Sequence, residues 1–165
     1  MTTTVRDARP PATLVHVLNP IMRIVLRTRL GRLVRPFALL EFDGRRSGRR
    51  YRVPVGWHES NGGALVVTPA PWRINFSGGA RATVYFRGKA QQMTGTLVTD
   101  HSAVAGALQS LFASGTKPRE IGLDMPEGHR VTASDVGSVG RAAIQFHTCH
   151  SHGTDPAATS TSPTC

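Results

Sequence analysis

Apolar side chains recur at two different periods along this chain, and the contrast separates a helical arm from a body of strands. Between residues 12 and 34 they return every three or four positions, which is the period of one helix face. These positions are Leu14, Leu18, Ile21, Val25 and Leu26. Pro20 lacks an amide hydrogen, so we place it near a helix start or a kink. The pattern predicts an N-terminal helical arm.

From residue 37 onwards, short apolar or alternating segments are separated by turn residues, which is typical of antiparallel strands. Tyr51, Val53, Val55 and Trp57 fall on one face of such a segment, and Pro54 between them suits an edge or a bulge. The predicted strands cover residues 37–43, 50–58, 64–68, 82–87, 91–99 and 142–148.

One helix is predicted among the strands, at residues 101–114, with Val104, Leu108, Leu111 and Phe112 on one side. Residues 69–81 are irregular, with one helical turn at most, and residues 115–141 show no pattern that we can assign. Five or six short strands with one inserted helix indicate a mainly β protein with flanking helices, built as a small antiparallel barrel.

The length of 165 residues suits one domain with a substantial core. We expect a flexible N-terminus over residues 1–11, a single barrel domain with its helical arm over residues 12–149, and a disordered tail over residues 150–165. A small barrel has little interior space, so a cofactor would lie across an outer groove, or at a seam with a helix or a second subunit.

The formal net charge of +10 favours an anionic partner: nucleic acid, an acidic membrane surface or a phosphorylated small molecule. Only ten of the 165 residues are aromatic, and no stacking motif interleaves with the basic turn, which argues against nucleic acid. The arm is strongly basic, with Arg23, Arg27, Arg29, Arg32 and Arg35. It either packs on the barrel with a solvated basic face or makes weak contact with a membrane surface.

The hydropathy and the cysteine content bear on the cellular location of the protein. No apolar run reaches 18 residues, and the N-terminus has no secretory hydrophobic segment. The two cysteines, Cys149 and Cys165, suggest no disulfide framework, so we expect a cytoplasmic protein that is either free or membrane-associated through its arm.

A basic turn, FDGRRSGRRYRVPVG, joins the first two predicted strands. Gly44 and Gly48 permit a positive φ angle, which would direct backbone amides toward a bound group. Arg45 and Arg46 offer planar guanidinium groups suited to phosphate, and Ser47 adds a hydroxyl. The turn is therefore either an anion site or a solvated hairpin whose arginines face solvent.

The segment PWRIN offers further candidates. Trp72 either covers a ring or plugs one end of the barrel, and Arg73 either reaches an anion or lies on the surface. Asn75 is expected to cap the local turn, because asparagine readily bonds nearby backbone. His58 lies between a strand and a turn, and we expect it to be exposed and inert.

Metal binding is not predicted, although four candidate ligands lie near the C-terminus: His147, Cys149, His150 and His152. Their spacing matches no standard zinc site. No Ser/His/Asp arrangement and no pair of carboxylates is recognisable among ten acidic residues, so no catalytic residue is named. This scarcity suits chemistry that a cofactor carries.

The order GRRSGRRYRVPVG, a strand, then PWRINFSGGARATVYFRGK resembles the deazaflavin-dependent oxidoreductases of the nitroreductase/quinone reductase family, over about residues 19–148. The resemblance implies a split β-barrel, similar to flavin reductases and pyridoxamine-phosphate oxidases. It implies that the Gly-Arg-Arg-Ser-Gly turn contacts the anionic tail of coenzyme F420, and that the PWRIN segment lies beside the ring. The implied cofactor-binding residues are Arg45, Arg46, Ser47, Gly48, Pro54, Trp72, Arg73 and Asn75.

The implied activity is hydride transfer from reduced F420 to an electron-poor small molecule: a quinone, an activated alkene or a nitro compound. FMN is the less favoured cofactor. The chain departs from the family pattern in one place, since only Pro69 and Ala70 precede PWRIN where many relatives carry a longer glycine-rich loop. The alternative is a non-catalytic protein that binds deazaflavin, FMN or haem on the same barrel. A homodimer is a further expectation.

Overall fold

The computed structural model describes residues 6–7, 25, 37–60, 63–126 and 128–148. Except for Val25, which is helical, the predicted arm lies outside the described residues, as do the predicted tail and most of the N-terminus. The division of the chain into these regions therefore stays a prediction. None of the described helices is long and apolar enough to cross a membrane.

Nine strands and two α-helices are found in the described parts of the chain. The strands are β1 (Arg6–Asp7), β2 (Phe37–Asp43), β3 (Arg50–Gly56), β4 (His58–Ser60), β5 (Gly63–Thr68), β6 (Ala80–Phe86), β7 (Lys89–Val98), β8 (Leu123–Asp124) and β9 (Ala142–Thr148). The α-helices are α1 (His101–Ala113) and α2 (Ala133–Val139). Two 3-10 helices cover Pro71–Phe76 and Pro118–Ile121.

Seven of these strands form one antiparallel sheet in the order β3-β2-β6-β7-β9-β5-β4. Its two edge strands, β3 and β4, are separated in sequence by Trp57 alone. The sheet must therefore curl until its edges approach, which makes it a barrel that is split between β3 and β4. The prediction of a mainly β split barrel is confirmed, and α1 agrees with the predicted helix at 101–114, whereas α2 was not predicted.

Strand alternation divides the core into two clusters. On β5, Ala64 and Val66 face the barrel interior, where they join Phe76, Ile144 and Phe146. The intervening side chains of the same strands face the two α-helices, in a second cluster that includes Leu65, Ala143, Val104, Leu108 and Val136. Strands β5 and β9 are therefore covered on both faces.

The turn between β6 and β7 is formed by Arg87–Gly88, although the predicted strand 82–87 included Arg87. Both residues have positive φ angles, 52° and 74°, as a tight two-residue hairpin requires. Phe86 consequently pairs with Lys89, so β7 begins two residues before its predicted start. The pattern could not show this, because arginine rarely takes a positive φ angle.

The unassigned stretch 115–141 holds a 3-10 helix, β8 and α2. A capping box starts α2: Thr132 accepts from the amide of Asp135, and the Asp135 carboxylate accepts from the amide of Thr132. Buried Arg141 donates to the carbonyls of Ile121 and Gly122 and so holds this stretch against the barrel.

Candidate functional site

The basic turn is a compact loop closed by its own backbone. The amide of Gly44 donates to the carbonyl of Arg49, and the amide of Gly48 donates to the carbonyl of Gly44, both at 2.8 Å. Gly48 has the expected positive φ angle of 61°, whereas Gly44 does not. Gly44 is required for a different reason: a Cβ atom there would lie 2.7 Å from a ring carbon of Tyr51 and 2.8 Å from the Ser47 hydroxyl.

Arg45 ties the turn to the 3-10 helix of the PWRIN segment. Its backbone amide donates to Oδ1 of Asn75 at 3.0 Å, and its Nη1 donates to the carbonyl of Ser77 at 3.0 Å. Asn75 in turn donates from Nδ2 to the carbonyl of Trp72 at 2.8 Å, which confirms its predicted capping role. The two motifs, thirty residues apart in sequence, are therefore neighbours. Arg45 is exposed, but its side chain is bonded to Ser77, which the solvated-hairpin alternative did not anticipate.

Several hydrogen-bond donors of the turn remain available. The backbone amides of Arg46 and Ser47, and the guanidinium groups of Arg46 and Arg49, have no hydrogen-bond partner among the described residues. The Ser47 oxygen accepts from the amide of Arg49 at 3.3 Å, which leaves its hydroxyl hydrogen free to donate. The tip of the turn thus presents two cations, two amides and one hydroxyl to solvent. Arg49 was missed as a candidate because the motif ends at Gly48.

An aromatic cluster lies under the turn and the 3-10 helix, centred on Phe42 at the end of β2. The Phe42 ring stacks on Tyr51 at 5.4 Å between centroids and meets Trp72 at 5.7 Å and Phe76 at 4.9 Å. Phe76 is fully buried and Trp72 is half-buried. Trp72 therefore closes this end of the core and also leaves part of its surface exposed. Ile74, on the same 3-10 helix, is 60% exposed.

Two predicted site residues stand apart from this arrangement. Pro54 lies on the edge strand β3 opposite Leu39, and its neighbours Val53 and Val55 face the core, so Pro54 faces outward. Its predicted edge position is confirmed, but the structure does not bring it to the turn. Arg73 donates from Nη1 to the carbonyl of Pro69 in its own loop, so part of its hydrogen-bonding capacity is used locally.

His58 was expected to be exposed, and this prediction is wrong. It is 6% exposed and begins β4, pairing with Leu65. Burial lowers the pKa of His58 below its ordinary value, and the charge of Glu120 opposes this shift only in part. The sequence concealed this burial because His58 alternates away from the barrel interior, and the face to which it points is covered by the second core cluster, which contains its partner Leu65.

The metal candidates are only partly testable. Of the four, His147 alone lies in the described chain, where it is exposed at the end of β9. Cys149, His150 and His152 lie outside the described residues. Within the described ranges no group of three or more histidine, cysteine or acidic side chains is placed to hold a metal ion.

Comparison with known proteins gives similarities of shape only. No family model and no curated protein matches the chain. A solved structure described as a domain-swapped dimer is 16% identical, with a TM-score of 0.48, and covers 84% of this chain and 100% of its own. An FAD and heme binding protein from Mycobacterium smegmatis is 15% identical, with a TM-score of 0.43, and covers 82% and 73%.

A third solved structure is a putative 5-nitroimidazole antibiotic resistance protein from Bacteroides thetaiotaomicron. It is 9% identical, with a TM-score of 0.44, and the alignment covers 91% of this chain and 86% of that one. All three TM-scores lie below 0.5, so we argue the site from its own contacts.

Proposed function

We propose that this chain is a deazaflavin-dependent oxidoreductase, which transfers a hydride from reduced coenzyme F420 to an electron-poor small molecule. The observation that carries the proposal is the bond between the amide of Arg45 and Asn75. Through Asn75 it links the basic turn, with its unpaired donors, to the helix that carries the half-buried Trp72. The turn and this helix are the two motifs on which the family resemblance rests.

The residues present fit such a cofactor. Its anionic tail requires hydrogen-bond donors and positive charge, which Arg46, Ser47 and Arg49 offer at the tip of the turn. Consecutive amides without a partner in a tight turn can form a favourable environment for an anion. The flat ring requires an apolar surface, which the exposed part of Trp72 offers on the adjacent 3-10 helix.

The protein groups would have separate tasks. Arg46, Ser47 and Arg49 would bind the tail, whereas Arg45 and Asn75 would hold the turn at a fixed place relative to Trp72. When bound, a reduced deazaflavin supplies the hydride, so the chain needs to provide position, charge and exclusion of water. Pro54 is left out of the proposed site because it faces away from it.

The cofactor assignment can be tested by titrating the protein with F420, with its tail-less ring system and with FMN, followed by fluorescence. Arg46→Ala should weaken F420 binding about tenfold or more, because one charge-assisted hydrogen bond is lost. Arg119→Ala is the matched control, since Arg119 is 86% exposed and pairs with Asp124 elsewhere. Tighter binding of FMN than of F420 would refute the cofactor choice, and equal binding by Arg46→Ala and wild type would refute the site.

Catalysis needs a second measurement. Loss of absorbance of reduced F420 on addition of a quinone, an activated alkene or a nitro compound would show hydride transfer. Tight binding without any such turnover would favour the alternative, a cofactor-binding protein without catalysis. Homodimer formation, cytoplasmic location and membrane contact through the basic arm stay predictions.

A further inference from the structure

A second polar site lies on the outer face of the sheet, away from the aromatic cluster. A groove of about 440 Å³ runs over β2, β3, β6 and β7. Its polar side chains are Glu41, Asp43, Arg50, Arg81, Thr83, Tyr85 and Gln92. Phe42 points into the core, so its neighbours Glu41 and Asp43 point to the opposite face. The volume falls within the range of small-molecule sites.

The floor of the groove is held in place by ion pairs. Glu41 is only 9% exposed, and its carboxylate meets Nη1 of Arg50 at 3.4 Å and Nε of Arg52 at 3.1 Å. Nε of Arg50 also meets Asp43 at 3.1 Å. A buried carboxylate is costly unless it is paired, so these contacts fix both arginines on the sheet.

Other groups in the groove remain free to bind. Arg81 is exposed and has no hydrogen bond or ion pair with any described residue. Nε2 of Gln92 donates to the Thr83 oxygen at 2.9 Å, which leaves the Thr83 hydroxyl hydrogen and the Gln92 carbonyl oxygen available. The cross-strand pairing of Thr83 with Gln92 keeps these two groups side by side.

The balance of charge defines the class of ligand. Arg50 and Arg52 are paired with Glu41 and Asp43, so Arg81 is the arginine of the groove that has no ion pair with a described residue. A phosphate ester carries about −1.5 to −2 at neutral pH, which exceeds the single charge of Arg81. A carboxylate carries a single negative charge and matches the planar guanidinium group of an arginine.

We propose that this groove binds a small organic monocarboxylate that also carries a neutral hydrogen-bonding group such as an amide. The carboxylate pairs with Arg81, and the neutral group bonds with Thr83 and Gln92. This site is independent of the proposed cofactor site, because it uses the other face of β2 and none of the residues at the tip of the basic turn.

Backbone amide chemical shifts in a titration with N-acetylglycine test this proposal. We expect saturable shifts at Arg81, Thr83 and Gln92, and binding about tenfold or more weaker in Arg81→Gln, which loses the charge. Arg119→Gln is the control and should bind as wild type does. Thr83→Val should weaken binding of N-acetylglycine while leaving the weaker binding of acetate unchanged, since acetate lacks the amide group.

Three results would overturn the proposal. Binding of uncharged N-acetylglycinamide as strong as that of N-acetylglycine would remove the role of charge. Binding of inorganic phosphate at least as tight would show that the groove does not select carboxylates. Unchanged binding in Arg81→Gln would place the ligand elsewhere. Arg46→Ala should leave this titration unaltered, so the outcome is separable from that of the cofactor titration.

Discussion

Two turns of this barrel combine arginine with glycine, and they use the arginine in opposite ways. At the β6–β7 turn, Arg87 takes a positive φ angle, pairs with Glu59 of β4 at 2.8 Å and lies 4.7 Å above the Phe86 ring. At the β2–β3 turn, Arg46 and Arg49 have no such partners among the described residues. One turn pairs its charge inside the fold, and the other leaves the charge of Arg46 and Arg49 without a partner among the described residues.

This difference shows what distinguishes a structural turn from a candidate site. Both turns read as basic hairpins in sequence, and their charge alone does not separate them. The separation comes from which donors already have partners, because only unsatisfied donors gain by meeting an anion. Arg45 belongs to the first kind although it sits in the second turn, since it is bonded to Ser77.

The largest effect is expected from Gly44→Ala. A Cβ atom would collide with the Tyr51 ring and the Ser47 hydroxyl, so the β2–β3 turn should lose its shape. The protein should lose about 1–3 kcal/mol of stability. Gly106→Ala is the control, because that helical position is open and alanine should stabilise it by about 0.5–1 kcal/mol. Urea unfolding measures both. A neutral Gly44→Ala would mean that the turn is loose.

The role of Arg87 in the β6–β7 turn can be tested with Arg87→Ala. Loss of the ion pair to Glu59 and of the contact with Phe86 should cost about 1 kcal/mol, since the pair is partly exposed. A double-mutant cycle with Glu59→Gln isolates the pairwise part. If the two substitutions prove fully additive in urea unfolding, the ion pair contributes nothing and the contrast between the turns weakens.

Much of the fold could be predicted from the sequence, because the alternation of β3 and the short apolar runs of β2 and β9 are typical of strands. The predicted bounds 37–43 and 142–148 agree with β2 and β9. Interruptions were harder to predict. Trp57 continues the apolar alternation of β3, so nothing in the pattern showed that the chain changes sheet edge there. Short elements such as α2 depend on capping and on the Arg141 contacts more than on periodicity.

The candidate site was predictable as two motifs but not as one place. The residue types of the turn suggested an anion site, and Asn75 was expected to cap its own loop, as it does. Its second contact, from the amide of Arg45, depends on tertiary packing that no local pattern encodes. The outer groove was not predicted at all, because its residues come from four strands and adjoin only across the sheet.

Acid should lower the stability of the protein by a smaller amount, through His58, which lies next to the Glu59 partner of Arg87. Buried His58 precedes Glu59 on β4, and its pKa is lowered by burial. The unfolded chain then binds a proton more readily than the folded one, so stability should fall as the pH drops below about 6.5. Urea unfolding at pH 7.5 and 5.5 measures this, with His58→Gln as the comparison. An equal pH dependence in His58→Gln would exclude His58 as the cause.

The smallest effect, and the sharpest contrast within one turn, is expected from the pair Arg45→Ala and Arg46→Ala. Arg45 donates to Ser77, so its loss should lower stability by about 0.5–1 kcal/mol, whereas Arg46 has no described partner and should change it by less than about 0.5 kcal/mol. Thermal unfolding measures both.

For cofactor affinity the mechanisms also differ: Arg46→Ala removes a contact, while Arg45→Ala loosens the turn that presents it. Added salt should therefore reduce the difference in affinity between wild type and Arg46→Ala, since it screens exposed charge, but should leave the stability cost of Arg45→Ala largely in place. Equal thermal stability of the two variants would mean that the Arg45 bond to Ser77 does not hold the two motifs together.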